Sequence, residues 1–155
     1  MTITEEIWIE AEPELVWNAW TQSDRITLWF APAADIEPMA GGKFELYFNP
    51  ASKGSMSTFG CKIVRYDEPR SFTFQWKGPD PFADTMNRQE QLTLVKVTLE
   101  PADQGTATAV RLEHSGWMDT EAWKQARQWH VEAWRQMLAS LKAMLESGEG
   151  AGCCP

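Results

Sequence analysis

P-E-L-V-W-N-A-W-T-Q-S-D-R-I-T-L-W-F, residues Pro13 to Phe30, reads as a short amphipathic helix, a break and a second short helix. Pro13 suits a first helical position, where the amide it lacks would have no partner, and Val16, Ala19 and Trp20 then fall on one side. Thr21 to Ser23 end this helix. Ser23 or Asp24 is expected to cap the next, whose Ile26, Trp29 and Phe30 make a small apolar face before Pro32 stops it. Three tryptophans in these eighteen residues cannot all be solvated without exposing a large apolar patch, so the two helices must close over something. That something is either core or ligand.

Outward from this stretch the pattern turns to period two. Before it, Ile3, Ile7 and Ile9 alternate with polar residues, so residues 2 to 10 read as a strand with one buried face, a parity that Trp8 alone resists. After it, Phe44, Leu46 and Phe48, then Phe72, Phe74 and Trp76, then Val110 and Leu112 share parity within their strands. Turn residues at Asn49-Pro50, Lys53-Gly54, Asp67-Glu68-Pro69, Gly78-Pro79 and Asp103-Gln104-Gly105 divide them into an antiparallel sheet. Between Gln91 and Glu100 the apolar parity changes midway, which predicts a bulge near Leu94. The segment from Gly78 to Arg88 is long for a hairpin and reads as a mobile rim carrying exposed Phe82 and Met86.

From Thr120, a plausible cap, to Glu146 the period is helical, and about 26 residues at 1.5 Å each make a rod of roughly 39 Å, enough to cross a sheet. Trp123, Ala126, His130, Ala133, Trp134, Met137, Leu141 and Met144 form its apolar stripe. A strand, two short helices, a curved antiparallel sheet and one long carboxy-terminal helix make an α+β domain in which the sheet grips the helix. One such domain is expected over residues 1–146, and residues 147–155, S-G-E-G-A-G-C-C-P, are expected to be a disordered tail.

The element order and several local words carry a family resemblance. They are E-L-V-W-N-A-W-T (Glu14 to Thr21), S-D-x4-W-F (Ser23 to Phe30), G-G-K-F (Gly41 to Phe44), H-S-G-W (His114 to Trp117) and W-x3-L-x2-L-K (Trp134 to Lys142). In these the chain resembles the Bet v 1-like helix-grip fold of the START/SRPBCC superfamily, in the branch related to the activator of the heat-shock-protein-90 ATPase. The resemblance implies the fold over nearly the whole domain and leaves the activity open, because such proteins include hydrophobic-ligand binders, co-chaperone-like proteins and some enzymes. Where the family often has glycine before the helix tryptophan, this chain has Ala133, which leaves slightly less room beneath the helix.

Charge and composition narrow the partners. With 22 acidic and 14 basic residues the net charge is -8, which repels phosphate backbones and anionic lipid, so neither nucleic acid nor membrane is an expected partner. No stretch has a signal peptide's layout or the roughly 20 apolar residues of a membrane span, and a cytoplasmic protein is expected. Cys61 stands alone in a strand pattern, and Cys153 and Cys154 are adjacent in the tail; as a vicinal pair they could take a soft metal or an arsenical, though they lack the companion ligands of a zinc site.

No phosphate loop, zinc-binding helix, nucleophile elbow or paired cysteine nucleophile is present, so no catalytic residue, metal or cofactor is assigned. Glu113 and His114 are not a pair, since neighbours in a strand point to opposite faces. Asp35, Glu37 and Glu45 read as solvated charges, and Tyr47 or Tyr66 beside an inward histidine is the residual enzymatic reading. His114 and His130 both have inward parity, where neutral imidazoles could hold a ligand's polar end or be satisfied by backbone. The expected walls of a cavity between helix and sheet are Trp29, Phe30, Phe44, Phe74, Trp76, Trp117, Trp134 and Met137, with His114 or His130 as the polar group. The sequence therefore points to a binder of a small hydrophobic molecule, with a chaperone-directed interaction module and a thiol-based response through Cys153 and Cys154 as the alternatives.

Overall fold

A computed structural model describes residues 1–147. Strand β1 (Ile3–Ile9) leads into helix α1 (Pro13–Thr21) and the single turn of α2 (Ser23–Ile26), followed by β2 (Ala33–Ile36), β3 (Phe44–Tyr47), β4 (Ile63–Asp67) and β5 (Ser71–Trp76). A short helix α3 (Ala83–Met86), strands β6 (Thr93–Ala102) and β7 (Ala107–Ser115), and the long helix α4 (Glu121–Ser147) complete the order. The strands form an antiparallel five-stranded sheet, β1-β7-β6-β5-β4, and a two-stranded ribbon, β2-β3. Backbone bonds from Gly41 N to Ile63 O, Ile63 N to Gly42 O and Phe44 N to Cys61 O carry the ribbon on from the β4 edge. Gly42 makes this junction possible, because a Cβ there would stand 2.2 Å from the Glu37 carbonyl oxygen.

The helices that follow β1 close over core. Trp17, Trp20 and Trp29 are 2%, 0% and 1% exposed. Trp20 meets the edge of Trp29 at 4.7 Å and 75°, and Trp17 meets Phe72 at 5.4 Å and 78°, arrangements that bring positive ring edges to negative faces. Trp29 Nε1 donates to the Ala19 carbonyl at 2.9 Å, so its one polar atom is satisfied within the pair of helices. Neither Ser23 nor Asp24 caps α2: Ser23 lies inside the helix, and its hydroxyl accepts the Ile36 amide at 2.9 Å, pinning α2 to β2 instead.

Thr120 does cap α4, its hydroxyl accepting the Trp123 amide at 3.3 Å, a contribution of about 1 kcal/mol. The buried stripe of α4 is Trp123, Ala126, His130, Trp134, Leu138, Ser140 and Leu141, while Ala133, Met137 and Met144 are only partly covered. Alongside β1 the helix is held by a ladder of polar contacts. Arg127 donates to the Met1 carbonyl, Arg135 to the Glu5 carboxylate and Lys142 to the Trp8 carbonyl, and Glu146 accepts the Glu10 amide. The spans match, because nineteen helical steps cover about 28 Å and nine strand steps about 30 Å.

Three local expectations are corrected. No bulge forms at Leu94: the pairing of β6 with β5 and β7 is continuous there, Thr93 and Val95 face inward and Leu94 faces out. The break in register lies between Ile63 and Arg65. Gly78 to Arg88 folds into two short helical turns; Met86 is fully buried, Phe82 packs on Trp129, and the Asn87 side chain bonds both the amide and the carbonyl of Gly78. Glu45 is 6% exposed and not a solvated charge, because it accepts the Tyr47 hydroxyl and the Gly60 amide on the outer side of β3. Trp8, which broke the parity of β1, lies 47% exposed with its indole donating to Glu10. Of the expected tail only Ser147 is described, as the last residue of α4; Cys153 and Cys154 lie outside the described residues.

Candidate functional site

On α4, His130, Ala133, Trp134 and Met137 recur at helical spacing and so share one face. Above them the chain leaves space. A cleft of about 270 Å³ opens between this face, the end of β5 from Trp76 to Pro79, Phe30 after α2, and the excursion between β3 and β4 that contributes Phe48, Met56 and Ser57. Trp129 and Gln136 flank it on α4. The small side chain at Ala133 is what keeps the volume open on the helix side.

Beneath the cleft lies a polar core built from two histidines and two tryptophans. An indole N–H can only donate, so its partner nitrogen must accept. Trp76 donates to His130 Nε2 at 3.1 Å, which leaves His130 Nδ1–H to donate to the Ala126 carbonyl at 2.8 Å. Trp134 donates to His114 Nδ1 at 2.9 Å, which leaves His114 Nε2–H to donate to Thr93 Oγ1 at 2.8 Å. The two rings are thus opposite tautomers, perpendicular to one another with centroids 5.4 Å apart. The Trp117 indole donates to the His114 carbonyl and closes the end.

Both imidazoles are neutral. Burial drives His114 well below the ordinary histidine value, with repulsion from His130 adding to it. Burial likewise lowers His130 to about 4, partly opposed by its bond to the Ala126 carbonyl. Every ring nitrogen already has a partner, so neither histidine has an atom free to bond a guest. His114 and His130, expected to hold a ligand's polar end, instead spend their ring nitrogens on Trp134, Thr93, Trp76 and the Ala126 carbonyl.

Of the expected site residues, Phe30, Trp76, His130, Trp134 and Met137 come together on the cleft wall. Trp29, Phe44, Phe74, His114 and Trp117 do not reach it. Phe44 and Phe74 stack at 3.9 Å within the core, and Trp29 sits beneath α1. Tyr47 points away from the histidines, bonded to Glu45, with burial the first cause raising its hydroxyl. Burial also pushes the Cys61 thiol up to about 12, which keeps it unreactive. Sequence reasoning missed Phe48, Met56 and Trp129 as wall residues. Phe48 had the right parity, whereas Trp129 lies one step off the apolar stripe and Met56 in a stretch without periodicity.

The excursion bearing Phe48 and Met56 is fastened by one carboxylate. Asp80 accepts the Met56 amide at 3.0 Å and the Ser55 hydroxyl, and these two bonds, the Ser55 bond first, hold its pKa below the ordinary carboxylate value. Met56 itself has a left-handed backbone, φ 51°, which a side chain tolerates only when held. Asp80→Ala should therefore loosen the neck of the excursion, where Phe48 N donates to Met56 O at 3.0 Å. Amide exchange at Phe48 is expected to quicken about tenfold; an unchanged rate would show that the clamp holds nothing.

A curved antiparallel sheet of five strands with a long carboxy-terminal helix across it defines a Bet v 1-like helix-grip protein. The chain belongs to the Activator of Hsp90 ATPase homolog 1-like family, whose model matches residues 10–146. Its fold is similar to that of a protein from Mesorhizobium loti, with 24% identity over 94% of this chain and 97% of the other and a TM-score of 0.74. It is similar also to the Aha1 dimer from Colwellia psychrerythraea, at 24% identity over 97% and 99% of the two chains and a TM-score of 0.74. An HSP90 activator from Plasmodium falciparum matches at 20% identity over 94% and 96%, with a TM-score of 0.72. No curated protein matches the chain. Among the described residues, no helix is long and apolar enough to cross a membrane.

Proposed function

We propose that the protein binds a small, mostly apolar molecule in the cleft between α4 and the end of β5. The observation that carries this reading is an unfilled volume of about 270 Å³ walled by Phe30, Phe48, Trp76, Trp134 and Met137. Scaled against the roughly 150 Å³ that holds one benzene in an apolar cavity, the cleft suits a flat body of about two rings. Affinity would come chiefly from burial.

Ala133→Leu is the test, because it fills the cleft from the helix side while leaving the Trp–His bonds intact. Binding of 2-naphthol, followed by NMR at the Trp76 and Trp134 indole N–H groups, should be saturable in the natural chain and weakened more than tenfold in the variant, with little change in stability. Equal binding by the two proteins, or none by either, would remove the reading.

A second reading has its own support. The family's description and the Plasmodium neighbour both name an Hsp90 activator. A co-chaperone-like role predicts capture of Hsp90 that weakens with salt and is indifferent to Ala133→Leu.

A further inference from the structure

Trp8, the large apolar residue of β1 that faces solvent, does not stand on a flat surface. Trp8 of β1, Ala109 of β7 and Glu100 of β6 are register partners in one row across three strands, while the next row, Ile9, Thr108 and Pro101, begins with a side chain buried on the opposite face. Two strand spacings, about 10 Å, separate Trp8 from Glu100, and between them the sheet offers only the methyl group of Ala109. The result is a groove of about 270 Å³ on the outer face of the sheet, walled also by Glu6, Thr98 and Arg111.

The charges about this groove are unbalanced. Glu6, Glu10 and Glu100 stand around it against one guanidinium, Arg111, whose Nε is bound to Glu6 at 2.8 Å. Glu10 accepts the Trp8 indole N–H at 3.0 Å and so holds the ring in place at the wall. Lys142, which bonds the Trp8 carbonyl, is itself paired with Glu146. The Glu100 carboxylate acts on Arg111 through space, but among the described residues it has neither a hydrogen bond nor an ion pair. An indole and an unpaired carboxylate on either side of a missing side chain suit a flat cation, which can lie along the ring and give two N–H bonds to the carboxylate.

We propose that this groove receives an arginine side chain from a partner protein, its stem over Ala109 and its guanidinium between the Trp8 indole and the Glu100 carboxylate. The site is on the other side of the sheet from the cleft and does not depend on the cleft's holding a ligand. A net charge of -8 draws basic partners toward the chain, and the groove gives one of their side chains a fixed place.

The experiment is an NMR titration of the full chain with the peptide acetyl-Gly-Gly-Arg-Gly-Gly-amide and its citrulline analogue, which keeps the shape and loses the charge. The Trp8 indole N–H, assigned through Trp8→Phe, is the reporter. The arginine peptide should move it saturably, with an affinity about tenfold above that of the citrulline peptide at low salt. The margin should shrink as salt rises. Glu100→Gln should bring the two peptides level while leaving the citrulline peptide unchanged, and Ala109→Leu, which fills the groove from the solvent side, should abolish binding of both. Ala133→Leu, on the other side of the sheet, should leave both peptides unaffected. Equal affinities for the two peptides, a margin that survives Glu100→Gln, binding indifferent to Ala109→Leu or lost in Ala133→Leu, or a Trp8 resonance that does not move, each overturns the assignment and leaves the cleft to be judged on its own test.

Discussion

His114→Leu should lower the free energy of unfolding by about 3 kcal/mol, read as a shift of the urea midpoint followed by tryptophan fluorescence. The side chain is fully buried and leucine fills similar space, so the loss is one of hydrogen bonding and not of volume. Leucine strands the Trp134 indole N–H, which has no other acceptor among the described residues, and the Thr93 hydroxyl in the same buried layer. Each stranded group costs about 1–3 kcal/mol, partly offset because an imidazole need no longer be desolvated. Gln in the same position can accept from one side and donate to the other, and should recover a good part of the loss. A leucine variant within about 1 kcal/mol of the natural chain would mean that these bonds contribute little.

Acid should be the second large effect. In the folded chain both imidazoles stay neutral well below the ordinary value, His130 to about pH 4, whereas in the unfolded chain they take up protons near about 6.5. Below about 6.5 the unfolded state therefore binds more protons, and stability falls as pH falls through the window from about 6.5 toward 4. Above that window the two histidines contribute no slope. With both titrating, the decline reaches about 2.7 kcal/mol per pH unit, enough to approach the total stability of a domain this size before pH 4. Among the described residues no carboxylate or ammonium is bonded to either ring: the groups facing them are Thr93, Trp76, Phe82, Trp117, Trp129, Trp134 and the Ala126 carbonyl. Urea unfolding at half-unit pH intervals checks this, and His114→Leu should halve the slope. A flat profile between pH 6.5 and 5 would contradict the neutral pair.

The sheet was readable wherever one face of a strand is wet, as in β5, where Phe72, Phe74 and Trp76 alternate with half-buried residues. It misled at Leu94, because a single exposed leucine imitates a change of face. Met86 looked exposed since its burial comes from packing between distant segments, which no local period records. Only half of the expected wall residues reach the cleft, for a related reason. Parity tells which way a side chain points but not which layer it reaches: Phe74 ends in a stack with Phe44, and Trp76, one repeat further along the same strand, ends at the cleft. The inward direction of both histidines was legible, whereas the pairing of each with a tryptophan required the helix to be placed on the sheet.

The ladder between α4 and β1 has a consequence for how copies of this chain behave toward one another. β1 is the border of the five-stranded sheet, and an unattended border offers main-chain donors and acceptors to any stray strand. Lys142 occupies one such group, the Trp8 carbonyl, while Arg127 and Glu146 hold the main chain just beyond the strand at Met1 and Glu10, so the helix that shapes the interior also pins both ends of that border.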